Sequence, residues 1–169
     1  DVARPRVLVT RDIFPEALDA IREVAEVDLW DDEMPPPRDV LLERAAGVDG
    51  ILCLLNDGID AEFFDAAGPQ LKVVSQIAVG YNNIDIDEAT KRGVPVGFTP
   101  DVLTDTTADF AFTLLMSAAR LIVPGNTAAH DGSWRTWHPL HFLGQDIHHA
   151  TLGIVGMGRI GFEMARRSV

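Results

Sequence analysis

The stretch Thr151–Val169 has the sequence TLGIVGMGRIGFEMARRSV, in which an apolar run leads through a glycine-rich turn into a helical pattern. Leu152–Val155 predicts a strand, and Ile160–Arg167 predicts a helix. The glycines between them stand at 156, 158 and 161, the GxGxxG spacing of a phosphate-binding strand–turn–helix unit. The order of strand, glycines and helix therefore predicts the start of a dinucleotide-binding domain.

Each residue of this turn has a predicted role. Gly156 allows the tight turn, Gly158 lets the backbone approach a pyrophosphate, and Gly161 lets helix and strand pack closely. Free N–H groups at the helix start attract phosphates, and an arginine adds a cation. A plain strand–turn–helix crossover is the alternative. The predicted cofactor-binding residues of the turn are Gly156, Met157, Gly158, Arg159, Ile160 and Gly161.

Upstream of the turn, short apolar runs alternate with helical patterns. This alternation predicts an α/β fold with a parallel sheet and helices on both faces. The predicted strands are Arg6–Thr10, Val27–Trp30, Gly50–Leu55, Leu71–Ser75 and Val94–Phe98. The predicted helices begin at Pro15, cover Asp39–Ala46 and Ala61–Ala67, and begin again at an N-cap on Asp85, with Glu88 completing a capping box.

The pattern changes near Pro100, where we place a domain boundary, giving domains 1–99 and 100–169. A helix capped by Thr104 or Asp105 is predicted to run to about Arg120. Its segment Ala108–Ala119 is apolar on nearly every face and is expected to be buried. Residues 125–145 are polar and aromatic, and we predict a loop there.

The composition limits the classes of function. A net charge of −12 argues against nucleic-acid binding, which needs clustered Lys and Arg. No apolar run approaches the roughly 20 residues of a membrane span, and the first residues lack the apolar segment of a signal peptide. We therefore expect a cytoplasmic protein. The single cysteine, Cys53, lies in an apolar run and is predicted to be buried and unreactive.

All five histidines fall between positions 130 and 149. His138, His141 and His148 could be combined into a metal site, but zinc ligands usually follow tighter patterns, often with Cys or carboxylates alongside. We predict histidines of a surface loop and no metal site.

Three stretches together resemble the D-isomer-specific 2-hydroxyacid dehydrogenase family: Ile77–Asp85 (IAVGYNNID), Thr99–Asp109 (TPDVLTDTTAD) and Thr151–Gly161. Gly97–Ala108, followed by Trp134–Pro139 (WRTWHP), is most similar to the glyoxylate/hydroxypyruvate reductase branch. The resemblance implies a flavodoxin-like substrate domain at 1–99, a Rossmann domain beginning at 100–169, and a homodimer formed through the cofactor domain. It also implies reduction of a small 2-keto acid, glyoxylate or hydroxypyruvate being favoured, with NAD or NADP.

The resemblance also assigns the substrate site. The backbone N–H groups of Val79 and Gly80 would bind the substrate carboxylate, as two adjacent donors suit an anion. Leu55 and Ala78 would line the same site. The alternative is that Gly80 serves only the conformation of a turn at the end of a strand.

Two further positions carry over from the family. Thr106, or its neighbour Thr107, would lie beside the nicotinamide, unless it is a helix-capping threonine. Trp137 would reach the partner's substrate pocket, unless it only packs in an interface.

The family's catalytic Arg, Glu and His belong to the later half of longer members, so none of the three falls within these 169 residues. We therefore expect the 169-residue chain alone to be inactive. The residue that separates NAD from NADP is due about 20 residues beyond the glycines, past Val169. A non-catalytic NAD(H)-sensing scaffold of the corepressor type and a phosphoglycerate dehydrogenase are the alternatives.

Overall fold

The computed structural model describes residues 3–169. Contacts divide the chain between Pro100 and Asp101 into two compact units. We call residues 3–100 unit 1 and residues 101–169 unit 2. The boundary predicted from the sequence lies one residue earlier.

Unit 1 is a five-stranded parallel sheet in the order β2-β1-β3-β4-β5. This is the flavodoxin-like strand order, so the predicted α/β architecture is confirmed. The strands are β1 (Arg6–Val9), β2 (Glu26–Leu29), β3 (Gly50–Cys53), β4 (Val73–Gln76) and β5 (Val96–Gly97). The helices are α1 (Pro15–Val24), α2 (Arg38–Ala45), α3 (Ala61–Ala67) and α4 (Ile86–Lys91).

The register of the strands separates the two faces of the sheet. Leu8, Ile51 and Val74 are register partners on one face, where they join a core with side chains of α2, α3 and α4. Side chains alternate along a strand, so their neighbours Val7 and Val73 point to the other face, on the side of α1. The prediction that β3 is covered on both faces thus holds only in part: on the side of α1, Leu52 is half-buried and Val73 is 37% exposed.

Two aspartates begin helices in unit 1. Asp60 accepts a hydrogen bond from the Phe63 N–H at 3.1 Å, and Asp85 accepts one from the Glu88 N–H at 2.9 Å. The Glu88 carboxylate does not complete the predicted capping box. It pairs with Lys91 at 2.6 Å, because the Asp85 N–H already donates to the Ile59 carbonyl.

Unit 2 contains three helices: α5 (Thr104–Ala119), α6 (Ile122–His130) and α7 (Arg159–Arg167). The predicted helix at 160–167 is confirmed, but the predicted strand Leu152–Val155 is wrong: that segment is irregular, with a bend at Val155. A strand requires hydrogen bonds to a neighbouring strand, and residues 101–169 contain no other strand with which it could pair.

Three further predictions for unit 2 are corrected. The segment 108–119 is not buried: of its residues only Ala108 is buried, while Phe110 is 63% exposed, because only α6 and α7 pack on α5 within unit 2. The helix has no side-chain cap, since its N-cap is Leu103. The first six residues of the predicted loop 125–145 are helical, because α6 covers Ile122–His130. Its apolar first residues, 122–124, were not recognised as the start of a helix.

Arg167 links α7 to α5 through ion pairs. Arg167 of α7 binds Asp109 at 2.5 Å and Asp105 at 3.3 Å, both on α5, and also Glu163 on its own helix. These carboxylates raise the pKa of Arg167, led by the hydrogen bond to Asp109.

By length and composition, no single helix within residues 3–169 could cross a membrane. Helices α5 and α6, bent by 64°, meet these criteria only as a pair.

Candidate functional site

The candidate substrate site of unit 1 lies at the carboxyl ends of its central strands. In this strand order, β2 is added on one side of β1, whereas β3, β4 and β5 follow on the other side, so the strand order reverses between β1 and β3. Ligands bind outside the carboxyl ends of the strands near such a switch point. Leu55 follows β3 by two residues, and residues 78–80 come shortly after β4. The topology therefore brings together residues that are distant in the sequence.

The loop after β4 presents free hydrogen-bond donors. Within residues 3–169, the N–H groups of Val79 and Gly80 have no hydrogen-bond acceptor. The Ala78 carbonyl, in contrast, accepts from the Thr99 N–H at 2.9 Å. The loop is thus tied down on one side and keeps two adjacent donors available for an anion.

Gly80 does not need to be glycine for the sake of its backbone conformation. Its φ lies outside the positive range that favours glycine. A Cβ built on it would meet only Leu55 Cδ2, at an ordinary contact distance of 3.9 Å. The alternative in which Gly80 serves only the conformation of a turn therefore loses its basis. The same contact places Leu55, 56% exposed, beside Gly80.

A buried polar network supports this site, and sequence reasoning missed all its members. Thr10, directly after β1, donates its hydroxyl to Asp57 Oδ2 at 2.6 Å, and the Leu54 N–H donates to the same oxygen at 2.8 Å. Thr10 and Asp57 are buried at 0% and 2% exposure. The available signal was the position of these polar residues just after apolar strands.

Two amide side chains extend the network to the loop after β4. Asn83 Nδ2 donates to the carbonyls of Leu54 at 3.1 Å and Asp57 at 2.8 Å, and to Gln76 Oε1 at 2.7 Å. Gln76 Nε2 donates to the Gly80 carbonyl. The network thus links the segment carrying Leu55 to the segment carrying Gly80.

Cys53 lies under this network and has no nucleophilic character. Burial, reinforced by the charge of Asp57, raises the pKa of its thiol to about 12. A thiol that stays protonated is a poor nucleophile. The predictions that Cys53 is buried and unreactive therefore agree with its environment.

In unit 2, the glycine turn has the geometry that its spacing predicts. Gly156 has φ +97°, a conformation that side chains other than glycine rarely adopt. A Cβ on Gly161 would collide with the Gly156 carbonyl oxygen, whereas a Cβ on Gly158 would meet nothing within 4 Å. Gly161 is thus required by packing, and Gly158 leaves the backbone open to an approaching group.

The start of α7 carries donors without acceptors. Its first hydrogen bond runs from the Phe162 N–H to the Gly158 carbonyl at 2.9 Å, and no side chain caps the helix. The N–H groups of Arg159, Ile160 and Gly161 therefore precede the helical ladder and can bind a phosphate. The Arg159 guanidinium forms an ion pair with Asp101, so a phosphate would compete with that carboxylate.

The remaining predicted positions in unit 2 lie at or near the surface. Thr106 lies in the first turn of α5, past the N-cap, so it is not a capping threonine. Its neighbour Thr107 is half-buried and donates its N–H to the Leu103 carbonyl at 2.8 Å. Trp137 is 76% exposed, which is compatible both with a pocket on another chain and with interface packing.

The histidines are exposed, and four of the five form neighbouring pairs, one tilted by 32° and one edge-to-face at 79°. The ring centroids of His138 and His141 are 4.6 Å apart, and those of His148 and His149 are 5.2 Å apart. Among residues 3–169, no group of three or more His, Cys, Asp or Glu side chains is arranged to hold a metal ion.

A model of one protein family matches residues 7–161; its description is D-isomer specific 2-hydroxyacid dehydrogenase, catalytic domain. Among similar proteins, the glyoxylate reductase of Korarchaeum cryptofilum is 55% identical over 166 residues, covering 98% of this chain and 50% of that protein. The glyoxylate reductase of Thermococcus gammatolerans is 47% identical over 169 residues, with the same coverage. The chain spans about half the length of the curated relatives it matches.

Solved structures agree with this family. A protein of Thermus thermophilus has a TM-score of 0.91 at 44% identity, covering 96% of this chain and 52% of that chain. The NADPH-dependent glyoxylate/hydroxypyruvate reductase of Sinorhizobium meliloti, in complex with NADP and malonate, has a TM-score of 0.74 at 32% identity, covering 98% of this chain and 50% of that chain.

Proposed function

We infer the function from one premise: this chain belongs to the D-isomer specific 2-hydroxyacid dehydrogenase family. We propose that it acts as an oxidoreductase on 2-hydroxy acids with a nicotinamide cofactor. We propose that the substrate is a small 2-keto acid, glyoxylate or hydroxypyruvate, which is reduced to the D-2-hydroxy acid. Relatives that are glyoxylate reductases, at 55% and 47% identity, support this choice.

The free N–H groups of Val79 and Gly80 bind the substrate carboxylate in this proposal. They are adjacent donors without protein acceptors, and the protein itself gives no reason for a glycine at position 80. These two adjacent N–H groups are the observation that carries the proposal, and the missing Cβ of Gly80 leaves room for a ligand beside them. Ala78 and the exposed side chain of Leu55 line the same site.

The turn at 156–161 holds the cofactor's pyrophosphate in this proposal. Gly158 leaves the backbone accessible, the first N–H groups of α7 have no acceptors, and Arg159 supplies a cation, so the residues present fit a dinucleotide. When bound, the nicotinamide supplies the hydride, because no side chain can deliver one. These residues suit NAD and NADP equally, and Thr106 would contact the nicotinamide ring.

The 169 residues alone would bind without turnover. The Arg, Glu and His that the family uses for carboxylate binding and proton transfer fall outside this sequence, so nothing here protonates the alkoxide that forms. Oxidation of NADH or NADPH by glyoxylate or hydroxypyruvate in the presence of the purified 169-residue chain would contradict this.

Binding can be tested by titrating the ¹⁵N-labelled chain with glyoxylate and, separately, with NADH. We expect glyoxylate to shift the amide signals of Val79 and Gly80, and NADH to shift those of residues 158–161. Acetaldehyde, which lacks the carboxylate, is the control ligand and should leave Val79 and Gly80 unchanged. Equal responses to glyoxylate and acetaldehyde would refute the carboxylate site.

The role of Gly80 has a matched pair of variants. Gly80→Ala should weaken glyoxylate binding about tenfold, the loss expected when hydrogen bonds to a charged ligand worth ~1.4 kcal/mol are disturbed. Gly58→Ala is the control, because its new Cβ would also make only an ordinary contact, 3.5 Å from Arg38. Unchanged binding in Gly80→Ala would mean that no ligand approaches this glycine.

A non-catalytic scaffold that senses NAD(H) is the rival. Both would bind the dinucleotide at the glycine turn, but only a dehydrogenase uses the carboxylate site. The full-length protein should therefore oxidise NADH when glyoxylate is added, whereas a scaffold would bind NADH without oxidising it.

We also propose a homodimer formed through the cofactor domain, which the exposure of Trp137 supports.

A further inference from the structure

The side chains of Gln76 and Asn83 lie side by side at the carboxyl ends of the strands. We call this pair the amide bridge. Gln76 is only 2% exposed. Asn83 Oδ1 is buried and has no hydrogen-bond partner within residues 3–169. A buried acceptor without a partner costs stability, so its presence calls for an explanation.

Backbone carbonyls fix the orientation of the Asn83 amide. The carbonyls of Leu54 and Asp57 lie 3.1 and 2.8 Å from Nδ2. A carbonyl oxygen can only accept, so the NH₂ group must face these two oxygens. Turning the amide over would give Oδ1 no donor there and would place it against them. The unsatisfied oxygen is thus the consequence of holding two carbonyls at once.

The orientation of Asn83 sets that of Gln76. The two hydrogens of Asn83 Nδ2 are shared among three oxygens, the third being Gln76 Oε1 at 2.7 Å, and the Cys53 thiol approaches the same Gln76 oxygen at 3.5 Å. With its oxygen held on that side, Gln76 must present its NH₂ group on the other. There Nε2 donates to the Gly80 carbonyl, which can also only accept.

This hydrogen bond controls the charge distribution of the loop. The Gly80 carbonyl is turned toward buried Gln76, so its negative end is kept from a ligand anion. The following peptide bond is trans, which directs the Tyr81 N–H away from Gln76. A loop that binds a carboxylate needs its N–H groups outward and its carbonyl oxygens inward.

The amide bridge also sets the spacing of the site. Through Asn83 it holds the segment after β3 that carries Leu55, and through Gln76 it holds the segment after β4 that carries Val79 and Gly80. Both segments lie outside the strands; backbone hydrogen bonds also hold them, and the amide bridge adds a side-chain connection between the two. The two parts of the proposed site thus share one buried support.

We propose that Gln76, oriented by Asn83, is a positioning residue for the binding of the substrate carboxylate: it turns the Gly80 carbonyl inward, away from the ligand, and so fixes the loop that carries the Val79 and Gly80 N–H groups. The inference rests on the proposed function and deepens it. Gln76 itself does not touch the substrate. Its role requires a donor and an acceptor on one planar group, which neither an ionised Glu carboxylate nor Met provides.

The test uses two variants of the 169-residue chain. Gln76→Glu keeps the shape but sets a carboxylate oxygen against the Gly80 carbonyl, and Gln76→Met removes both hydrogen bonds without adding charge. Gln70→Glu is the matched control, because Gln70 also donates to a backbone carbonyl, that of Ala67, elsewhere in unit 1. The probes are glyoxylate and NADH, followed by NMR, with amide hydrogen exchange as a second measurement.

We expect glyoxylate affinity to fall about tenfold or more in Gln76→Glu and less in Gln76→Met, while Gln70→Glu stays within about twofold. NADH affinity should not change in any variant. Amide exchange should accelerate at Ile84 and Thr99, whose N–H groups donate to the Tyr81 and Ala78 carbonyls of this loop, and stay unchanged in α3. A purely structural role would instead accelerate exchange throughout unit 1.

The outcomes separate this inference from the function on which it rests. If wild type shifts at Val79 and Gly80 with glyoxylate and both Gln76 variants bind equally well, the inference is wrong and the proposed function stands. If wild type shows no such shift, the proposed function fails and the inference fails with it. Should Gln76→Glu not fold, the affinity of Gln76→Met decides.

Discussion

At the scale of single residues, the glycines of the two proposed binding sites are glycine for different physical reasons. Gly161 is required by the protein, since any Cβ would strike the Gly156 carbonyl oxygen, and Gly156 is required by its φ of +97°. Gly158 and Gly80 are required by neither packing nor conformation. What marks these two is their surroundings: Gly80 lies beside two adjacent N–H groups without protein acceptors, and Gly158 lies at the uncapped start of α7, so both leave room for a ligand.

Gly161→Ala should destabilise the start of α7. Overpacking of this kind costs typically about 1–3 kcal/mol, so we expect a lower melting temperature for unit 2 and loss of NADH shifts at residues 158–161. Gly153→Ala is the control, because its Cβ would meet nothing within 4 Å. Thermal unfolding followed by circular dichroism measures the difference, and equal stabilities would show that the turn rearranges easily.

Cys53 should resist alkylation in the folded chain. Its thiol is buried, with a pKa of about 12, so almost no thiolate exists at pH 8. Iodoacetamide should therefore modify Cys53 only after denaturation, as mass spectrometry can show. Rapid modification under native conditions would mean that the core around β3 opens readily.

At the scale of elements, helix ends show which local signals are reliable. Asp60 and Asp85 both cap their helices, and Gly68 ends α3 with φ +87°. The predicted caps of α5 fail, since neither Thr104 nor Asp105 accepts a backbone N–H there. A capping residue must stand one position before the first helical turn, but Thr104 and Asp105 already lie inside that turn, since α5 begins at Thr104.

Asp60→Ala should lower the free energy of unfolding of unit 1 by about 1 kcal/mol at pH 7. Burial disfavours the charged carboxylate, but hydrogen bonds from the Phe63 N–H and Arg38 outweigh it and hold the pKa of Asp60 below its usual value. This stabilisation is complete above the ordinary Asp pKa of about 3.9 and is lost as pH falls through the lowered pKa. Urea unfolding at pH 7 and at pH 3 measures it.

The control for this prediction is Asp65→Ala, which removes the same charge and an exposed ion pair with Arg92 but no cap. Exposed pairs contribute little, so its effect should be smaller. Equal losses in both variants, or a loss in Asp60→Ala that does not shrink at low pH, would contradict the capping role.

At the scale of the whole molecule, the two units differ in how much apolar surface they bury. Unit 1 has a continuous core between its sheet and helices α2, α3 and α4. In unit 2, Ala108 and Ala128 are the only buried residues among 101–169, and every residue of 131–143 is exposed. We therefore expect unit 1 to be the more stable unit.

Limited trypsin digestion should cut first after Arg135, in the middle of this exposed segment. Protease sites in regular structure require local unfolding, whereas residues 131–143 already lie exposed. Arg135→Gln should delay the first cut without changing the melting temperature. First cleavage inside residues 6–97 in wild type would show that unit 1 is the less stable part.

The sequence by itself determined the alternation of strands and helices in unit 1, its parallel sheet, the glycine turn and the family, because these depend on spacing along the chain. Only the tertiary structure showed that Thr10, Asp57, Gln76 and Asn83 meet beneath the loop at 78–80. It also decided that 152–155 is not a strand and that α5 is exposed. The physical reason is the same in each case. A strand, a buried face and a hydrogen-bond network are properties of partners brought together by the fold, and no pattern along the chain contains the distance between them.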